Sequence, residues 1–105
     1  VLITFNEPTS VGAARAVEAL GLEEEVFFVG FDSNVVTVDA LQAGSVDALI
    51  VQNPYAMGYL GVESAYQLLS GRGGELPPVV DTSTQIVYRS NLFTLDSQKA
   101  LFAFE

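Results

Sequence analysis

The chain has 105 residues, half hydrophobic and 16% charged, which suits one small α/β domain with a modest core and excludes a disordered chain. Its formal net charge is −9, with Arg15, Arg72, Arg89 and Lys99 spread along the chain, so nucleic acid and anionic membrane surfaces, which need clustered cations, are excluded as partners. There is no cysteine and no histidine, which excludes disulfides, thiolate catalysis and His-ligated metal.

Val1-Leu2-Ile3-Thr4-Phe5 predicts a first strand. The chain opens inside it, without an initiator methionine or a signal peptide, and reads as a piece of a longer protein. Residues 9–20 place Val11, Ala14, Val17 and Leu20 on one helical stripe, with Asn6 as a possible cap, Pro8 in the first turn and Gly21 as the stop. Residues 26–31 form a second strand, apolar on both faces as in a sheet covered by helices. A short helix over 35–43 stops at Gly44, and residues 46–51 form a third strand. Asn53-Pro54 then opens a long helix that runs to about Ser70 and stops at Gly71. Residues 72–78 are a turn-rich connector. Residues 79–88 are a fourth extended segment, and residues 90–105 carry no clear pattern. No apolar run reaches the ~18 residues of a membrane span.

The βαβαβαβ order predicts a parallel sheet flanked by helices, a three-layer α/β/α lobe that is incomplete here. In such sheets ligands bind beyond the carboxyl ends of the strands. Those ends deliver Asn6, Asp32 and Gln52. Amides offer donors and an acceptor and a carboxylate offers acceptors, a mixture suited to a neutral ligand rich in hydroxyls. Asn6 and Asp32 also admit a plainer reading as helix caps. Gln52 does not, because Asn53 already fills that role.

No strand end pairs a nucleophile with a base. Ser10, Ser64 and Ser83 have no histidine to activate them, so no catalytic residue is assigned. Gly71-Arg72-Gly73-Gly74 follows a helix rather than a strand, the wrong context for a phosphate loop. No cofactor and no metal are expected, and Glu23-Glu24-Glu25 reads as solvated surface. Phe5, Phe31 and Tyr55 flank the polar trio. Rings can stack on a pyranose, but Phe5 and Phe31 are read first as core.

Asn6-Glu7-Pro8, Val29-Gly30-Phe31-Asp32-Ser33 and Val51-Gln52-Asn53-Pro54-Tyr55, with Met57-Gly58 following, stand in one order at spacing that resembles type I periplasmic binding proteins. The resemblance is to the carboxyl-terminal portion of the ribose-binding-like receptors of ABC sugar transporters. It implies that Asn6, Asp32 and Gln52 bind sugar hydroxyls. It also implies that Gln52, Asn53, Asp81 and Thr82 lie in hinge strands between two lobes, which close on the sugar by bending. One lobe would hold residues 1–52 and about 84–95, whereas residues 53–78 would pack on the lobe that is missing.

The resemblance further implies a membrane permease as partner and an extracytoplasmic location, in the periplasm or on the outer surface as a lipoprotein. Full-length members are more than twice as long, so this piece alone is expected to bind sugar weakly or not at all. The stripe Met57, Leu60, Ala65, Leu68 and Leu69 of the long helix would face water unless it meets another copy of the chain or missing sequence. The alternative function is the effector-binding domain of a sugar-responsive LacI-type repressor. An enzyme on a similar sheet is disfavoured by the missing His, Cys and phosphate loops.

Overall fold

The computed structural model describes residues 1–102, and each of its first three helices begins at an asparagine. In α1 (Glu7–Leu20), Asn6 Oδ1 accepts from the Thr9 N–H at 3.1 Å. In α2 (Val35–Ala43), Asn34 Oδ1 accepts from the Thr37 N–H at 2.9 Å, and Thr37 Oγ1 accepts from the Asn34 N–H at 3.0 Å. In α3 (Pro54–Leu69), Asn53 Oδ1 accepts from the Ala56 N–H at 2.9 Å, and Pro54 occupies the first turn, where its missing N–H does no harm. Each cap contributes about 1 kcal/mol. Gly21 (φ 63°) and Gly44 (φ 105°) end α1 and α2 in the left-handed conformation expected of a stop.

Four strands form one sheet in the order β1 (Leu2–Ile3), β2 (Phe28–Phe31), β3 (Ala48–Val51) and β4 (Gln85–Tyr88). They are shorter than the apolar runs that signal them. The Val26 N–H donates to the Leu22 carbonyl, in the turn after α1, and the Val46 N–H to the Ala40 carbonyl of α2, so the start of each run is tied to what precedes it instead of joining the ladder.

β1, β2 and β3 are parallel, as the alternation predicts, but β4 runs antiparallel to β3, with Gln85 opposite Val51. This corrects the fourth crossover, and residues 79–84 stay out of the ladder. A parallel return needs a helix that packs back along the sheet to its starting end. α3 does not do so: none of its residues is buried among the described residues. The chain therefore re-enters from the end at which it left.

α1 and α2 pack together on one face of the sheet. Ala14, Val17, Ala40 and Leu41 meet Phe28, Leu49, Val51 and Val87 there, and Leu92 and Leu101 join the same core. Phe28, Leu41 and Leu49 are wholly buried, each worth about 1.5–3 kcal/mol. The unpatterned tail folds as α4 (Leu95–Phe102), which contributes Leu101. The other face of the sheet, with Ile3, Ile86 and Tyr88, is about half exposed. The domain is thus a helix-flanked α/β sheet with one of its two helical layers in place.

The radius of gyration is 16.9 Å and the long axis 57 Å, against about 13 Å for a compact chain of this length. The difference lies in α3 and residues 70–82, which form an arm beyond the sheet. Within the arm, Met57, Leu60 and Leu68 face Leu76, Pro77 and Val80 across a shallow groove. Of the expected stripe, Leu60 is half-buried, whereas Met57, Ala65, Leu68 and Leu69 remain exposed. No described helix is long and apolar enough to cross a membrane.

Candidate functional site

Three adjacent parallel strands end at one edge of the sheet, and the predicted polar residues stand just beyond them. Asp32 follows β2 directly and Gln52 follows β3 directly. Asp32 is the one described non-glycine residue with positive φ (67°), a conformation costing about 1–2 kcal/mol for an L-residue. Two contacts hold it. Its N–H donates to the Ile50 carbonyl at 2.8 Å, and its Oδ1 accepts from Gln52 Nε2 at 2.8 Å. The helix that follows is capped by Asn34, so Asp32 has no capping duty. A left-handed backbone held by two hydrogen bonds makes Asp32 a candidate site residue.

The Asp32–Gln52 contact also fixes what each side chain can still do. A carboxylate only accepts, so the amide nitrogen of Gln52 must face it. Among the described residues that leaves Gln52 Oε1 and Asp32 Oδ2 as open acceptors.

Asn6 is exposed and caps α1. Its Oδ1 accepts from the Thr9 N–H and from Thr9 Oγ1 at 2.8 Å, which uses both lone pairs. Its Nδ2 makes no hydrogen bond among the described residues, so Asn6 offers donors. The edge thus presents donors at Asn6 and acceptors at Asp32 and Gln52. A polyhydroxylated neutral ligand matches this pattern, whereas an anion would meet the Asp32 carboxylate. No nucleophile stands beside a base among these residues.

Two segments of chain cross the same end of the sheet side by side. The chain leaves at Gln52-Asn53 and returns through Ser83 and Thr84 to Gln85. These residues line an open cavity of about 640 Å³ with Asp96 and Lys99. Thr82 faces α3 across the arm's groove and Asp81 is exposed. The structure therefore joins Asp32 to Gln52 and sets Gln52 and Asn53 beside the returning strand.

One reading of the sequence needs correction. Phe5 is not core: it is 79% exposed. The ladder ends where the Thr4 N–H meets the Val29 carbonyl, and Thr4 points inward, so the next side chain points out. Phe31 is half-buried and Tyr55 exposed. Ser10, dismissed as an unactivated nucleophile, is wholly buried and bonded to both strand ends. The signal was present, since Ser10 shares a helical face with Ala14 and Val17, a polar residue on an apolar stripe.

The periplasmic binding protein domain family matches residues 1–73. The ribose import binding protein of Haemophilus influenzae is 38% identical over 76 residues, 72% of this chain and 25% of that protein. A carbohydrate transporter solute binding protein from Agrobacterium radiobacter, solved in complex with D-arabinose, is 28% identical with TM-score 0.85, over 94% of this chain and 33% of that one. A lesser likeness is to a chain from Brachyspira murdochii described as an ABC transporter, LacI family transcriptional regulator (TM-score 0.62, 27% identity, 72% of this chain and 23% of that one). The chain spans about a quarter of the length of the curated relative it matches. Within that span sequence and architecture agree, and the chain belongs to the periplasmic binding protein domain family.

Proposed function

We propose that this chain supplies one wall of the sugar pocket in the solute-binding component of an ABC sugar transporter. Asp32 and Gln52 accept hydrogen bonds from sugar hydroxyls, and Asn6 donates to them. The observation that carries this reading is the strained backbone of Asp32, with its carboxylate clamped to Gln52 at the strand ends. The protein binds and releases its ligand without chemistry, so it is not an enzyme. The remaining contacts come from a second lobe.

In this reading residues 1–52 and about 84–95 belong to one lobe, and residues 53–78 reach across to the other. Gln52 and Asn53 with Asp81 and Thr82 form two hinge crossings, consistent with two irregular segments running side by side at the sheet end. The receptor works outside the cytoplasm and hands its sugar to a membrane permease. The parallel likeness to a LacI family description keeps an effector-binding domain as the alternative. The higher TM-score of the transport receptor, 0.85 against 0.62, supports transport. An export signal upstream in the gene would decide for transport, and a helix-turn-helix for the repressor.

The test is calorimetry on the full-length protein with D-ribose, D-arabinose and D-galactose. Asp32→Ala is expected to weaken binding by about 10- to 100-fold, since a charged hydrogen bond contributes about 1.5–3 kcal/mol. Unchanged affinity would remove Asp32 from the pocket. The 105-residue chain alone is expected to show no binding in the same titration.

A further inference from the structure

We propose that Ser10 is a positioning residue, whose single buried hydroxyl sets how far apart and at what angle Asn6 and Asp32 stand. The inference rests on the pocket reading above and adds to it a residue that never touches the sugar.

Ser10 is wholly buried in the first turns of α1. Its Oγ lies 2.7 Å from Thr4 Oγ1, 2.8 Å from the Asn6 carbonyl, 3.0 Å from the Phe31 N–H and 3.1 Å from the Phe31 carbonyl. A hydroxyl has one donor and two acceptor sites. All are used when it accepts from Phe31 and Thr4 and donates to Asn6. The same oxygen therefore grips the backbone of one proposed ligand residue, Asn6, and of the residue just before another, Asp32.

It does so where the sheet stops. The β1–β2 ladder runs from the Leu2 N–H on the Phe27 carbonyl to the Thr4 N–H on the Val29 carbonyl. Continued, it would give the Phe31 N–H the carbonyl of Thr4. Phe31 donates to Ser10 Oγ instead. The hydroxyl replaces the last rung, so β1 can turn outward to present Asn6 while β2 stays in place to present Asp32. Gly30 lies alongside: a Cβ there would meet Ser10 Cβ and Oγ at 3.7 Å, an ordinary contact, and would crowd only Leu49 Cδ2, at 2.9 Å.

Ser10→Ala deletes the rung and leaves the part-buried Phe31 N–H without its partner. A binding group needs to be held within about 0.5 Å of its productive place. The full-length protein is compared with Ser10→Ala, Thr4→Val and, as a control for lost stability alone, Val17→Ala from the same helix face. Affinity for D-ribose and D-arabinose is measured by calorimetry. The amide resonances of Asn6, Phe31, Asp32 and the Gln52 side chain are followed by NMR without sugar.

Ser10→Ala is expected to weaken binding by about tenfold or more and to shift all four resonances, with hydrogen exchange at Phe31 accelerated. Thr4→Val, which removes one partner of Ser10, should fall between it and the parent. Val17→Ala should lower the melting temperature with little change in affinity or in those resonances. Equal losses of affinity in Ser10→Ala and Val17→Ala, or unmoved Asn6 and Asp32 resonances in Ser10→Ala, would overturn the role of Ser10. If the parent binds neither sugar, the pocket reading fails by itself, and the sugar-free spectra still decide whether Ser10 positions the two strand ends.

Discussion

The sheet and the arm are built from similar helical signals and end in opposite states. α2 and α3 both start at a capping asparagine. Yet α2 buries Thr37, Ala40 and Leu41 against the sheet, whereas α3, nearly twice as long, has no fully buried residue among the described residues. Tyr55, Tyr59, Val62, Tyr66 and Leu69 are all largely exposed along it. Capping and periodicity are sufficient to place a helix, and they do not say what it rests on. Isolated helices of such length are marginal in water and draw most of their stability from packing. The arm should therefore be the weaker region wherever nothing covers it.

The largest test of that contrast deletes the same side chain in each region. Leu49 is wholly buried in the centre of the sheet, and Leu69 is 90% exposed on the arm. Leu49→Ala should cost about 2–5 kcal/mol in urea unfolding, and Leu69→Ala less than about 0.5 kcal/mol. A comparable loss at Leu69 would mean that the arm is covered in solution. Sedimentation would then show whether a second copy covers it, one of the two covers, another copy or missing sequence, that the exposed stripe led us to expect.

Gly30→Ala tests how tightly the sheet side is packed. The new methyl would stand 2.9 Å from Cδ2 of the wholly buried Leu49 and should cost about 1–3 kcal/mol. Because a single neighbour causes the clash, the cost should shrink in a Leu49→Ala background. Additive losses in that double-mutant cycle would place the strain elsewhere.

These contrasts explain what the sequence made legible. Caps and glycine stops act within a few residues, so α2 lies over the expected residues 35–43 and α3 starts at Pro54 as expected. The placement of Asp32 and Gln52 at one edge was legible because parallel strands deliver their next residues to the same end. The direction of β4 was not legible, because it depends on α3 failing to pack on the sheet, a matter of tertiary contact. α4 escaped notice because eight residues with two buried side chains leave too short a pattern. Ser10 was passed over because serine was considered only as a nucleophile, while its work is to replace a backbone partner. The Asp32–Gln52 bond was equally out of reach, since nothing local to either residue specifies it.

The smallest effect separates the regions most cleanly. Asn34 and Asn53 make the same hydrogen bond, Oδ1 to the N–H three residues on, both at 2.9 Å. Asn34→Ala and Asn53→Ala should each remove about 1 kcal/mol from the helix concerned. For α2 that loss should appear in full as a lower urea midpoint, because α2 unfolds only with the sheet. For α3 it should appear as reduced helicity in circular dichroism and faster hydrogen exchange over residues 54–69, with the midpoint of the sheet unmoved. Equal shifts of the midpoint would mean that arm and sheet unfold together, and the arm would then have a partner that these contacts do not include. Unequal shifts would leave it an independent element, held by its caps and by the shallow groove against residues 76–82 until a second surface covers it.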